Sequence, residues 1–200
     1  MKVYLIRHGQ TNYNVLNIHN SDPTVDVHLT KLGVEQAEKL ADALKSKSIE
    51  RIFASELKRT QQTANIVNEY HKVEIVVDKR LNDNKSGYED QSDDEFYEQL
   101  KKSEDKWNAR FNGGESLNDV WNRVDDFIRD LSGQQIECCA VVSSKVIIQY
   151  FCAIIKGIPK EKAADYYVDK GSCTELVLSK EFHIRIATAR QYFDNSSSLC

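Results

Sequence analysis

Several side chains able to grip and attack a small anion stand where apolar runs of this 200-residue chain end. Arg7 and His8 close the first run, Val3 to Ile6. Ser55 closes a second, Ile52-Phe53-Ala54, and Arg59 follows it by four residues. Asp83 comes after a third, Val73 to Val77. Ser143-Ser144-Lys145 closes a fourth, Cys138 to Val142, and the apolar segment Val146 to Ile155 continues from it without a break. Arginine binds phosphate oxygens with a two-pronged fork. A neutral imidazole is a nucleophile that can form a covalent phospho-enzyme. A protonated carboxyl can give its proton to a leaving oxygen. Together these residues suit a dianionic phosphoryl group, provided that the fold brings them to one rim.

The apolar runs are spaced so that it can. Each is short, and the first, second and fourth lead into helical patterns, which reads as strand–helix alternation. Leu29, Gly33, Ala37, Leu40, Ala41 and Leu44 recur at three- and four-residue steps, with Thr30 as N-cap. Leu57, Thr60, Ala64 and Val67 mark a second helix. Residues 10 to 28 are polar and turn-rich and read as loop. The polar segment 84–114 carries one short helix, Asp93 to Lys102, and ends in Gly113-Gly114. Glu115 opens the longest amphipathic stripe, Leu117 to Leu131, with a capping box at Ser116 and Asp119 and a stop at Gly133. Two late apolar runs, Thr174 to Leu178 and Phe182 to Ala187, predict a closing pair of strands, one of them antiparallel. The tail after Asp194 reads as frayed. The expected architecture is a three-layer α/β/α sandwich on a mostly parallel sheet with one antiparallel strand. In such sheets ligands bind beyond the carboxyl ends of the strands.

The totals fit one domain over 1–200, with 84–114 as an inserted lid segment. At 40% hydrophobic residues the core can stand without disulfides or metal. A net charge of −4 argues against a nucleic-acid partner, which calls for a basic face. Five cysteines without a C-x-x-C pair, several in apolar runs, read as small hydrophobes in a reducing compartment. No apolar run is of membrane-spanning length. The expectation is a cytoplasmic protein, monomer or homodimer, with no membrane partner.

The motifs say more. Leu5-Ile6-Arg7-His8-Gly9-Gln10-Thr11-Asn12-Tyr13-Asn14 resembles the signature of the histidine phosphatase superfamily, the phosphoglycerate mutase-like proteins. Further blocks match in order: Asp26-x-x-Leu29-Thr30-x-x-Gly33, Ser55-x-Leu57-x-Arg59-Thr60-x-x-Thr63-Ala64, and Gly114-Glu115-Ser116. The resemblance implies a phosphoglycerate mutase-like fold and no metal or other cofactor. It implies His8 as phosphorylated nucleophile, with Arg7, Asn14 and Arg59 on the phosphoryl oxygens. The acid, a glutamate in the family pattern, falls on Asp83, with Glu89 as substitute. The family's second histidine falls on Ser144, and Lys145 replaces the glycine after it. Ser144 and Lys145 would then be pocket residues on a wall that differs from the family's.

Blander roles compete. Ser144 is also a good helix N-cap. Asp83 could be an ordinary loop acid, Arg59 a solvated helix arginine, and Glu115 a complement to its helix dipole. His19, His28, His71 and His183 show no metal-ligand spacing and read as surface or core residues. Rival phosphate chemistries lack their motifs: no cysteine has an arginine six positions later, and no G-x-x-x-x-G-K-[ST] occurs. The expected activity is hydrolysis of a small phosphorylated metabolite through phospho-His8. The alternative is an impaired relative that binds a phosphorylated ligand or partner, and mutase chemistry ranks below both.

Overall fold

A computed structural model describes residues 1–179 and the backbone of 190–192. The elements run β1 (Lys2–Arg7), α1 (Asn12–Leu16), α2 (Lys31–Leu44), β2 (Arg51–Ala54), α3 (Lys58–Val67), β3 (Glu74–Val77), α4 (Asp93–Lys102), α5 (Leu117–Ser132), β4 (Cys138–Ser143), α6 (Lys145–Lys156), β5 (Cys173–Val177) and β6 (Arg190–Tyr192). One sheet holds all six strands in the order β3-β2-β4-β1-β5-β6. The β1–β4, β2–β4 and β2–β3 pairs are parallel, while β5 runs antiparallel to both β1 and β6. So among the described residues β5 is the one reversed strand, as the close spacing of the late strands predicts. The expected strand Phe182–Ala187, His183, Cys200 and the tail after Asp194 lie outside the described residues.

Strand periodicity divides the core in two. Val3, Leu5, Cys139 and Val141 face one side, where they pack with Val124, Phe127 and Ile128 of α5 and Ile147, Ile148 and Phe151 of α6. Tyr4, Ile6, Ala140 and Val142 face the other, against Leu40 and Leu44 of α2 and Ala64 and Val67 of α3. Alternate side chains point to opposite faces of a strand, so a continuous apolar run marks a sheet covered on both sides. Cys138, Cys139, Cys152 and Cys173 are buried free thiols within these cores.

Two expectations about elements are corrected. Residues 12–16 form a short helix rather than loop. Thr11 caps it in a reciprocal box, in which its side chain accepts from Asn14 N and the Asn14 side chain accepts from Thr11 N. The long helix α5 begins at Leu117, capped by Ser116 and Asp119 as read, so Glu115 stands outside it. Glu115 pairs with Arg123 at 2.9 Å instead of serving the helix end.

Parallel registers align the strand ends. Arg7 sits opposite Ser143, and Ala54 opposite Val142. The turn after β1 is pressed against the start of α2. A Cβ on Gly9 would lie 2.3 Å from Gly33 O, and one on Gly33 2.0 Å from Gln10 O. Those two glycines let the backbones meet, which is why both stand in the motifs around His8.

Candidate active site

The rim formed by β1, β2 and β4 carries a small polar cavity of ≈ 120 Å³. Its lining includes Arg7, His8, Asn14, His19, Asn20, Arg59, Asp83, Ser144 and Lys145. Pockets that enclose a whole drug-sized ligand are about 300–1,000 Å³. This one is the size of a head group.

His8 is 3% exposed. Its backbone N–H donates to Ser143 O at 3.1 Å, which ties the ends of β1 and β4 together. Its Nδ1 lies 2.8 Å from Gly9 O. A carbonyl only accepts, so Nδ1 carries the proton and Nε2 keeps a lone pair. Arg59 Nε donates to that Nε2 at 3.2 Å. Burial, and then the Arg59 charge, push the His8 pKa well below the usual histidine range; the Gly9 carbonyl opposes them less strongly. The ring is therefore neutral at physiological pH, and its Nε2 lone pair accepts from Arg59 at the cavity wall.

Arg59 sits in the first turn of α3 and is 4% exposed. Its Nη2 donates to Asn20 O at 2.9 Å and to Asp83 Oδ2 at 3.2 Å. The residues of its motif hold it there. Ser55 Oγ and Thr60 Oγ1 are 2.6 Å apart, and Ser55 Oγ accepts from Leu57 N at 3.3 Å. Thr63 Oγ1 donates to Arg59 O at 2.9 Å and accepts from Gly9 N at 3.4 Å. The S-x-L-x-R-T-x-x-T block is thus a brace between the arginine and the turn that bears His8.

Asp83 reaches the cavity despite its short side chain. Burial pushes its pKa up, but His19, Arg59 and the Ser144 hydroxyl outweigh burial and hold the carboxyl below its usual range. Without substrate it is a carboxylate. Ser143 Oγ donates to Leu81 O at 2.6 Å and so binds the end of β4 to this loop. Glu89, the substitute acid, is not in the cavity lining. Its carboxylate accepts from Ser21 N at 2.6 Å and Ser21 Oγ at 2.8 Å, and it faces the neighbouring cleft. That placement removes the geometric basis for Glu89 as the acid.

Arg7 donates from Nη1 to Val168 O at 2.8 Å, while its buried Nε has no partner. Asn14 spends its Oδ1 on the Thr11 cap, which leaves its amide nitrogen for the cavity. Ser144 occupies the N-cap position of α6, yet its side chain makes no cap hydrogen bond. It is 1% exposed and its Oγ has no well-formed partner, although it stands close enough to Asp83 to favour that charge. Lys145 is exposed at the mouth.

Two cavity residues escape the sequence reading. Asn20 is 4% exposed, and neither its Nδ2 nor its Oδ1 has a partner. A buried amide left unsatisfied marks a place for a ligand. His19, read as surface or core, is buried and lines the cavity too. Both lie in the 17–22 loop. That loop is placed by pairing with residues 89–93, as in His19 N to Gln91 O at 2.8 Å and Asp90 N to His19 O at 3.0 Å. Local sequence carries no trace of such a pairing.

Comparison with known proteins points to one family. The profile of the histidine phosphatase superfamily (branch 1) matches residues 3–186. The chain is 27% identical over 198 residues to the adenosylcobalamin/α-ribazole phosphatase of Escherichia coli, covering 95% of this chain and 97% of that one. A 133-residue stretch is 32% identical to a probable phosphoglycerate mutase of Proteus mirabilis, but covers 62% of this chain and 60% of that protein. The crystal structure of the α-ribazole phosphatase from Shigella flexneri superposes with a TM-score of 0.82 at 27% identity, over 96% of this chain and 95% of that one. With the His8 turn, the Arg59 brace and the shared fold in hand, the chain belongs to the histidine phosphatase superfamily, branch 1.

Proposed function

We propose that the protein hydrolyses a small phosphomonoester through a phosphohistidine at His8. The observation that carries this reading is the His8 tautomer. Gly9 O fixes the proton on Nδ1, and the Nε2 lone pair faces Arg59 in a cavity of head-group size. A phosphoryl entering there meets Arg7, Arg59, the Asn14 amide and the unpartnered Asn20 and Ser144 side chains. Nε2 attacks phosphorus in line, an N–P bond forms and the P–O bond to the leaving group breaks. Asp83 gives that oxygen a proton. Water then attacks phosphorus, the N–P bond breaks, Asp83 takes back a proton and inorganic phosphate leaves. Asp83 is a carboxylate before substrate binds, so its proton arrives with the fraction of substrate bound as the monoanion, the second phosphate pKa being about 6. Positioning and fixed charge do most of the work. Lys145 at the mouth, with Phe96 and Tyr97 from segment 84–114, meets the leaving group, and that segment acts as the lid.

The test is hydrolysis of p-nitrophenyl phosphate beside a His8→Ala control. Release of nitrophenol that disappears in the control supports the reading. Equal rates for both folded proteins overturn it. A second reading, binding of a phosphorylated ligand without efficient turnover, draws on the charged state of Asp83 and on Ser144 in place of a second histidine. It predicts tight phosphate binding by a protein with no His8-dependent hydrolysis. Transfer between phosphoglycerates would instead mark a mutase.

A further inference from the structure

His19 lies at the centre of the contacts that join the acid loop to α4. Its Nε2 is 2.8 Å from Asn84 O, the carbonyl next to Asp83 in the chain. Its Nδ1 is 3.0 Å from Asp93 Oδ1 at the start of α4. Glu89 Oε1 stands 3.7 Å from Nε2. Both ring nitrogens therefore face oxygens. A carbonyl can only accept, and a carboxylate oxygen such as Asp93 Oδ1 accepts as well. Both nitrogens must donate, which is the pattern of an imidazolium. Its surroundings agree. Burial works against the charge, but Asp93, Asp83 and Glu89 outweigh it and raise the His19 pKa to about 9.

The charge matters because of what else lines the cavity. Arg7 and Arg59 are its buried or half-buried cations, Lys145 is exposed at the mouth, and Asp83 and Asp93 oppose them. With a neutral His19 the inner groups, Arg7 and Arg59 against Asp83, leave a single net positive charge to meet a phosphate anion, since Lys145 and Asp93 are both exposed. With the imidazolium that inner positive charge doubles. At the position in the turn after β4 where the family resemblance puts a second histidine stands the neutral hydroxyl of Ser144, and the cation next to it, Lys145, is exposed at the mouth.

We propose that His19, held doubly protonated between Asn84 and Asp93, is the positioning residue that supplies the positive charge missing from the Ser144 turn and fixes the Asp83 loop for the bound phosphoryl. It acts through charge and through Asn84 rather than by touching the phosphoryl, since both of its nitrogens are occupied. The proposal rests on the phosphatase reading for its consequence in turnover, but not for its effect on anion binding.

The experiment measures inorganic phosphate affinity calorimetrically for the whole chain, from about pH 7 to about pH 10.5, in wild type, His19→Gln and Asp93→Asn. p-Nitrophenyl phosphate turnover is measured on the same samples. His19→Gln retains a donor for Asn84 O but loses the charge. Phosphate binding is expected to weaken about tenfold in it at neutral pH, a loss of about 1.4 kcal/mol. Wild type should lose the same factor as pH rises through the His19 titration, and the variant should show no such step. Asp93→Asn removes a half-exposed partner, and its step should move toward the usual histidine range, so it serves if His19→Gln does not fold. Affinities within twofold for wild type and His19→Gln, or an unmoved step in Asp93→Asn, overturn the proposal. Phosphate binding with the expected step but without His8-dependent turnover overturns the phosphatase reading and leaves His19 standing. A wild type that binds no phosphate overturns both.

Discussion

At the scale of single residues, the site turns on where protons sit. His8 is neutral because of burial and Arg59, so its Nε2 keeps a lone pair well below the pH at which an exposed histidine charges. Activity toward p-nitrophenyl phosphate should therefore persist at pH 5, where an unperturbed imidazole is mostly protonated. A rate that collapses below about pH 6.5 with the usual histidine profile would contradict the tautomer and burial argument. Asp83 makes a different demand. A general acid matters most when the leaving group is poor, so Asp83→Asn should lower kcat for an alkyl phosphate by ~10²- to 10⁴-fold. For p-nitrophenyl phosphate, whose leaving oxygen needs little help, the loss should stay within about tenfold. Equal losses on both substrates would assign Asp83 to holding Arg59 and not to proton transfer. Such residues were legible in sequence when their roles follow from strand ends. Arg7, His8 and Arg59 stand at or just after aligned carboxyl ends. Asn20 and His19 were not, because a non-local loop pairing turns them into the cavity. Glu89 shows the reverse error: its position suited an acid, but Ser21 binds it facing another cleft.

At the scale of elements, the helices that bury a stripe were readable, and their bounds follow from caps. The α4 limits and the Thr30 and Ser116 caps agree with the sequence pattern. The α1 helix was not readable, since its five residues bury nothing and its cap uses Asn14 where a glutamate or glutamine usually marks the box. What α1 does is hold Asn14 at the cavity edge. The contact between the His8 turn and α2 is equally specific. Gly33→Ala puts a methyl carbon 2.0 Å from Gln10 O, a backbone atom that cannot swing aside. Overpacking costs about 1–3 kcal/mol, and relief here requires the turn that bears His8 to shift. The variant should show a lowered Tm and, in the folded fraction, a kcat reduced by more than about tenfold. Small displacements of reacting groups are that costly. A Tm that falls with kcat per folded molecule unchanged would show that the turn tolerates the shift.

At the scale of the whole molecule, the cavity stores two histidines whose proton affinities are displaced in opposite directions, and global stability must record both. His8 binds its proton less well in the fold than in the unfolded chain, so the unfolded state gains protons first as pH falls below about 6.5. Stability is then lost on the acid side. His19 binds its proton better in the fold, with a pKa raised to about 9. Its contribution is complete below the unfolded value of about 6.5 and is lost as pH rises through about 9; the shift corresponds to about 3 kcal/mol. Asp83, whose carboxyl is held below its usual range, adds a further loss at still lower pH. The two histidines together predict a stability maximum near neutrality, with limbs that belong to different residues. Urea unfolding across pH should show it. His19→Gln should flatten the limb between about pH 7 and pH 9 and leave the acid limb intact, whereas His8→Ala should flatten the fall just below about pH 6.5 and leave the alkaline limb. If both variants keep the wild-type profile, the opposed proton affinities are not properties of the folded site. If only the alkaline limb responds to His19, α4 and the Asp83 loop are joined by a proton that the fold itself retains.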